Sequence, residues 1–314
     1  MTESPVEKPF RVFLSALLNV AFFAFMNLFV KLASETHSIA QIMFFRSVIA
    51  LIPVCLMILA KRDISLFSTK RMGGHFARSS IGTISMAFFF TSFAMLPMAD
   101  ATAIQFASPL ILTALSVPLL KEIVGPHRWA AVTIGLGAVL FMLQPTGHTH
   151  MAGNMVALGA AFLGALAMIA VRRLGTTEHS LTIVFYFSLF SAIFSFIAML
   201  FAWTPPTATS LTYLLAAGIL GGFGQVFLTY CYARAPAAYV SPFSYLAILF
   251  SALFDVIIWH HATDWRIALG SCIVMSSGLY IVFREAKKHY RNITNPNLYN
   301  LQPAMPTPRD EEKI

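Results

Sequence analysis

Three charged side chains stand inside long apolar stretches of this sequence: Lys31, Arg46 and Asp255. In a membrane, a charge near the bilayer centre costs roughly 2.5–3.5 kcal/mol, so each must face a cavity, a partner or water. Counted from Ala40 along a helix, Arg46 lies about 9 Å inside its stretch. We expect Arg46 to line a central cavity and to contact an anionic or carbonyl-bearing part of a solute. Structural pairing with a carboxylate or with backbone carbonyls is the alternative.

Lys31 and Asp255 each have a functional and a structural interpretation. Lys31 lies one helical turn from Asn27 on the same face and would contact the solute at the outer mouth of the cavity. Alternatively, its long side chain extends to the membrane interface. Asp255 is the single charge of its stretch, which makes it either paired or partly protonated and a candidate for proton coupling. Contact with water near the end of the stretch is the alternative.

Uncharged polar side chains inside apolar stretches are further candidates for lining the cavity, although packing between helices explains each of them equally simply. These candidates are Asn27, Gln105, Gln225, Tyr230, Ser244 and Tyr245.

The sequence predicts no catalytic residue, metal site or cofactor. It contains no phosphate-binding Gly-rich loop and no nucleophile beside a base. Four histidines cluster in predicted outer loops but have no carboxylate or Cys companion at metal-ligand spacing. They are His148, His150, His260 and His261.

The composition is that of a polytopic membrane protein. The chain has 314 residues, of which 58% are hydrophobic and 11% charged, and its mean hydropathy is +0.74. Apolar runs of about 20 residues match the thickness of a bilayer core. Because the basic residues are spread singly, we expect the partners to be the lipid bilayer and a small-molecule solute, with no nucleic acid. Ten spans are predicted, at 11–33, 40–60, 75–96, 101–120, 127–144, 152–173, 180–203, 211–233, 238–259 and 265–285.

The basic residues predict the orientation of these spans. With the N-terminus inside, 18 of the 21 Lys and Arg residues, Arg78 among them, fall in the inside segments or near the inside ends of the spans, and the outside loops contain none. We therefore expect a multi-pass protein of the inner (plasma) membrane with both termini cytoplasmic. Residues 1–10 form the cytoplasmic N-terminus, and residues 286–314 form a flexible cytoplasmic tail.

The chain contains an internal repeat. The segment 96–122 recurs after an offset of 139 residues, which matches Pro97 with Pro236 and Gln105 with Ser244. The repeat divides the chain into halves at 11–145 and 152–285, each with five spans. Because five is odd, the second half enters the membrane from the opposite side, so we predict an all-α integral membrane fold of ten transmembrane helices in two inverted five-helix repeats.

Several segments resemble the drug/metabolite transporter superfamily, specifically its ten-helix EamA type, over residues 11–285. They are VKLAS, QIMFFRS, LPMADATAIQFASPLILTALSVPLLKE, HRWAAVTIGLGAVLFMLQP and YARAPAAYVSPFSYLAILFSALFDVIIWHH. The resemblance implies a secondary active transporter of a small organic metabolite that works by alternating access. The first half is also similar to members that handle riboflavin or S-adenosylmethionine. The second half departs from the family, with His261 where Glu122 stands in the first half and Asp255 at a usually small position.

Other functions remain open at this point. A membrane-embedded lipid-modifying enzyme would group His, Asp or Glu at one interface, and a channel would need a continuous polar stripe. An exporter of amino acids or drugs belongs to the same transporter class. The direction of transport, the coupling ion and homodimer formation cannot be read from the residues.

Overall fold

A computed structural model describes residues 9–120, 125–143, 151–234 and 243–294. In these residues the protein consists of α-helices and one short 3-10 helix at Ile64–Phe67. The α-helices are α1 (Pro9–Ser34), α2 (Ile39–Ala60), α3 (Met72–Met95), α4 (Met98–Gln105), α5 (Ala107–Leu120), α6 (Pro126–Met142), α7 (Met151–Leu174), α8 (Ser180–Met199), α9 (Ala208–Arg234), α10 (Leu246–Trp259) and α11 (Trp265–Thr294).

The helices correspond to the ten predicted spans, because α4 and α5 form one span that is interrupted at Phe106. Six spans in the described residues are long and apolar enough to cross a membrane. A bilayer core offers no water to the backbone, so spanning segments must satisfy their hydrogen bonds internally, as helices do. The predicted all-α membrane fold is confirmed.

Most helix boundaries lie within a few residues of the predicted ones, and two differences concern the start of α4 and the end of α11. The gap between the predicted spans 75–96 and 101–120 is shorter than expected, because α4 begins at Met98 and Asp100 lies in its first helical turn. An acidic side chain at that place is favoured by the helix dipole. At the other end of the chain, α11 continues to Thr294, so the predicted tail from residue 286 begins as helix.

The helices pack in a symmetric way. The first helix of each half lies against the third helix of the other half, α1 on α9 and α7 on α3. The second helices, α2 and α8, pack on each other, and so do the fifth helices, α6 and α11. This exchange of equivalent contacts is what a two-fold relation between inverted halves produces.

The repeat is most visible where the fourth spans are interrupted. Phe106 separates α4 from α5, and Tyr245, which is its equivalent at the offset of 139 residues, interrupts the helix just before α10. The two rings contact each other, with centroids 5.0 Å apart. The halves therefore meet at two equivalent helix breaks, a feature that transporter folds place at their midplane.

Glycines of α9 let the two halves approach closely. A Cβ on Gly218 would lie 2.5 Å from Ile49, and one on Gly221 would lie 2.8 Å from Met26. Small residues allow helix backbones to come together in a membrane, where no hydrophobic force between helices exists. As a result, α1 and α2 pack directly on the backbone of α9.

The helix ends at Ser34, Leu96 and Trp259 lie at one end of the bundle, which is called the Asp255 end. The His179 end is the opposite one, formed by Ala60, Met72 and Leu174.

Candidate functional site

A cavity of about 280 Å³ lies in the middle of the bundle. Four helices of the first half, α1 to α4, line it, and its wall includes central residues of α3 such as Gly82 and Ser85. Two glycines of the second half lie nearby, because a Cβ on Gly221 of α9 would be 3.7 Å from Arg46 Nε and one on Gly164 of α7 would be 3.4 Å from Gln105 Nε2. The lining residues are Phe23, Met26, Asn27, Arg46, Gly82, Ser85, Met86, Phe89, Phe90 and Gln105.

Arg46 is the charged residue of this lining, and only 9% of its surface is exposed. Its Nε has no hydrogen-bond acceptor, and no ion pair to it occurs among the described residues. Removing a guanidinium from water costs several kcal/mol unless a partner replaces the water. The structure places Arg46 at a cavity, and none of the carboxylates among the described residues forms an ion pair with it.

Two amides join Arg46 at the cavity. The Oδ1 atom of Asn27 and the Oε1 atom of Gln105 are buried and accept no hydrogen bond within the part of the chain that the structure describes. Buried polar atoms usually have a partner, and an orphaned one in a native structure requires an explanation such as an absent ligand. The structure therefore brings together three of the predicted residues: Arg46, Asn27 and Gln105.

The other uncharged candidates lie outside the described lining of this cavity. Tyr245 is buried against Phe106, and Ser244 is half-buried beside it. Gln225 is half-buried on α9, next to Gly224. Tyr230 belongs to α9, but its side chain lies outside the described residues.

Lys31 is placed away from the cavity, at the Asp255 end. Its Nζ donates a hydrogen bond to the carbonyl oxygen of Leu96 at 2.9 Å and lies 3.6 Å from Asp255 Oδ1. The same ammonium is 4.6 Å from the centroid of the Trp259 ring. In this conformation the charge of Lys31 is held by protein groups, where the sequence alone suggested contact with solute.

Asp255 connects the two halves. Its carboxylate oxygens accept hydrogen bonds from the backbone N–H groups of Met98 (3.0 Å) and Ala99 (2.8 Å) at the start of α4. Anions at a helix N-terminus are stabilised by the unpaired N–H groups and by the helix dipole. With Lys31 beside it and 1% exposure, the Asp255 carboxylate is buried with a partner at each of its oxygen atoms.

A second connection at the Asp255 end was not foreseen from the sequence. The buried amide of Gln41 donates to the Thr204 carbonyl at 2.9 Å and accepts from the Thr204 N–H at 3.1 Å. These two hydrogen bonds join the start of α2 to the loop between α8 and α9.

The His179 end is also bridged between halves. Thr182 donates to the Leu66 carbonyl and Tyr186 to the Phe67 carbonyl, each at 2.9 Å. His179 begins α8 by accepting a hydrogen bond from Leu181 N–H at 3.0 Å, and its other ring nitrogen is 3.1 Å from Lys61 Nζ. Partial burial and, secondly, the charge of Lys61 lower the pKa of His179 below its ordinary value of 6.5, against the opposing effect of Asp63.

We predict that this histidine makes the protein less stable in acid. Because the pKa is lower in the folded state, the unfolded chain takes up the proton first as the pH falls through 6.5, and stability declines from there towards the lowered pKa. Asparagine is an equally good helix cap that does not titrate. The melting temperature of His179→Asn should therefore fall less between pH 7.5 and pH 5.5 than that of the unmodified protein, and parallel curves would contradict the prediction.

The described residues contain no group of three His, Cys, Asp or Glu side chains able to hold a metal ion. His260 and His261 are exposed, while His148 and His150 lie outside the described residues.

Sequence reasoning treated Arg78 only as a marker of orientation, yet it belongs beside the cavity. It lies in the second turn of α3, and Gly82, one turn further, is part of the cavity lining. An arginine followed by a glycine at i+4 inside a span is the signal that could have identified it.

Two five-helix halves that meet at interrupted helices beside a central cavity are an architecture of membrane transporters. The family follows from sequence comparison, in which the EamA-like transporter family matches residues 11–144 and again residues 151–283. The chain belongs to the EamA-like transporter family, and it is a multi-pass membrane transporter. The expectation that it is not an enzyme is confirmed by this membership.

Its relatives carry different solutes. The pseudopaline exporter CntI of Pseudomonas aeruginosa is 29% identical over 83% of this chain and 92% of that protein. A riboflavin transporter of Rhizobium johnstonii is 28% identical over 68% of this chain and 71% of that protein. An S-adenosylmethionine uptake transporter of Rickettsia prowazekii is 25% identical over 82% of this chain and 86% of that protein.

One solved crystal structure has the same fold. Its sequence is 17% identical to this chain, and the superposition covers 88% of this chain and 98% of the other chain with a TM-score of 0.62.

Proposed function

We propose that this protein is a secondary active carrier that moves a small organic metabolite by alternating access and binds it at the cavity of Arg46, Asn27 and Gln105. The observation that carries the proposal is Arg46, a buried charge without a described partner at a central cavity that the first half lines. An intramembrane charge is retained where it serves a site, because its insertion is costly.

The relatives support an organic solute of moderate size. Their names specify pseudopaline, riboflavin and S-adenosylmethionine, and they include both an exporter and an uptake transporter. A riboflavin- or S-adenosylmethionine-like solute would find aromatic rings at the cavity wall, where Phe23, Phe89 and Phe90 lie. The other candidates, Tyr230, Gln225, Ser244 and Tyr245, would contact it from the second half as the carrier changes conformation.

Alternating access requires the two ends to open in turn. The bonds of Asp255 with Lys31 and α4 would close one end, and those of Thr182, Tyr186 and His179 would close the other. We propose that the Asp255 end is extracytoplasmic and that both termini are in the cytoplasm, because the basic loops lie at the His179 end.

Asp255 is our candidate for proton coupling. Its protonation would remove the charge that holds Lys31 and weaken the cap on α4, which would favour opening of this end. Asp100, Asp264 and Glu35 are the other acidic groups of the same end.

Counterflow in proteoliposomes tests the function. Vesicles that contain the purified full chain and are loaded with unlabelled riboflavin, S-adenosylmethionine or another metabolite should accumulate the labelled form transiently and with saturation. Empty vesicles serve as the control. Linear, unsaturable flux would indicate a channel, and the absence of counterflow with every solute of a broad metabolite panel would reject the carrier.

A further inference from the structure

A second arginine lies beside the cavity that contains Arg46. The guanidinium carbon of Arg78 is 3.8 Å from the ring centroid of Phe187, so an aromatic ring covers one face of the group. Gly82 lines the cavity next to it, and a Cβ there would be 3.4 Å from Arg78 Nη1 and 3.0 Å from the Phe187 ring. The guanidinium thus lies directly beside Gly82, the glycine that forms this part of the cavity wall.

Neither guanidinium group is neutralised in the described chain. Arg46 Nε and the Nε and Nη1 atoms of Arg78 are buried without a hydrogen-bond acceptor. The charged group that acts on Arg78 most strongly is Arg46, which is another cation. The carboxylates whose side chains are described lie at the two ends of the bundle, at Glu35, Asp63, Asp100, Glu178, Asp255 and Asp264.

Arg46 lines the cavity and Arg78 lies behind Gly82 of its wall, so two like charges with little hydration repel each other unless an opposite charge compensates them. An anion bound between them would supply the missing charge and the missing acceptors. Guanidinium groups suit this role because their planar N–H donors match the oxygen atoms of a carboxylate or a phosphate. The remaining wall is largely apolar, with Met26, Met86 and three phenylalanines, and would contact the organic part of the solute.

We propose that Arg46 and Arg78 jointly bind an anionic group, so that the solute of this carrier bears a carboxylate or a phosphate. The inference rests on the proposed function and names the substrate class of the same site. It also adds Arg78 to the residues that determine specificity.

Matched pairs of probes test the charge requirement. Indole-3-acetate is compared with indole-3-acetamide, and riboflavin 5′-phosphate with riboflavin, by titration against the purified full chain with its melting temperature as the readout. The anionic member of at least one pair should bind about 10-fold or more tightly than its neutral counterpart, since hydrogen bonds to charged groups are the strong ones. Equal affinities within both pairs, or no binding of either anion, would overturn the proposal.

Variants of Arg78 then test which residue is responsible. Arg78→Gln should weaken binding of the anionic probe roughly 10- to 100-fold and leave the neutral probe within about 3-fold, while Arg78→Lys should restore part of the anion affinity. Arg62→Gln, which removes an exposed arginine from the His179 end, is the matched control and should change neither value.

The stability of the solute-free variants separates this role from a structural one. Removing an unpaired buried charge should leave the melting temperature of Arg78→Gln equal to or higher than that of the unmodified protein. An arginine that merely holds helices together would give a lower melting temperature with unchanged anion preference, which would contradict the proposal. Saturable counterflow of neutral solutes alone would reject the anion while retaining the carrier.

Discussion

Replacing Arg46 with glutamine should slow transport about 100-fold or more, because the change removes a buried charged contact to the solute that is worth at least about 2–3 kcal/mol. Glutamine keeps polarity and much of the length, so the cavity should not collapse. Initial rates of counterflow in proteoliposomes measure the effect. The transport rate of Arg46→Lys should lie between those of the unmodified protein and Arg46→Gln, since lysine retains the charge but lacks the planar pair of donors.

In the absence of solute, Arg46→Gln should be more stable than the unmodified protein. Arg46 is 9% exposed and its Nε lacks an acceptor, so its replacement relieves an uncompensated desolvation cost of about 1–3 kcal/mol. The melting temperature of solute-free Arg46→Gln should therefore rise, and Arg62→Gln serves again as the control. A large fall in melting temperature together with normal transport would show that Arg46 has a structural role with a partner that remains to be found.

Replacing Asp255 with alanine should have the largest effect on stability, a loss of about 3 kcal/mol. The change leaves two backbone N–H groups of α4 without acceptors and the Lys31 ammonium without its counter-charge. Asp264→Asn, an exposed residue of the same end, is the control and should change the melting temperature little. Asp255→Asn should be intermediate, because its amide oxygen still accepts one of the two bonds.

A double-mutant cycle separates the cap from the ion pair. In the double variant Asp255→Ala/Lys31→Met the loss should be smaller than the sum of the two single losses, since no buried charge is then left alone. Strict additivity would mean that the 3.6 Å contact contributes nothing.

Transport by Asp255→Asn tests the coupling role. If Asp255 binds the coupling proton, counterflow should lose its dependence on pH in this variant, because the amide does not titrate. A pH dependence equal to that of the unmodified protein would assign coupling to another group, of which Asp100 is the nearest candidate at this end.

The sequence by itself determined the architecture. The length and the apolar character of each run indicate that it crosses the membrane as a helix, because the backbone in lipid must form its hydrogen bonds within the segment. The odd number of spans in each half determines the inversion, and the offset of 139 residues correctly related Phe106 to Tyr245, whose rings are in contact. These are local or periodic properties, so they can be read along the chain.

Only the tertiary structure decided which charges are paired. Lys31, Arg46 and Asp255 look alike in the sequence, as single charges in apolar runs. In the folded protein Asp255 accepts a hydrogen bond from the N–H of Met98, 157 positions away, and lies beside Lys31, while Arg46 lines a cavity and its Nε has no acceptor among the described residues. Such partners belong to helices that are far apart in the sequence, and whether they come into contact depends on how the two halves pack. For that reason the sequence alone could not distinguish Lys31, which has protein partners, from Arg46, whose Nε has none among the described residues.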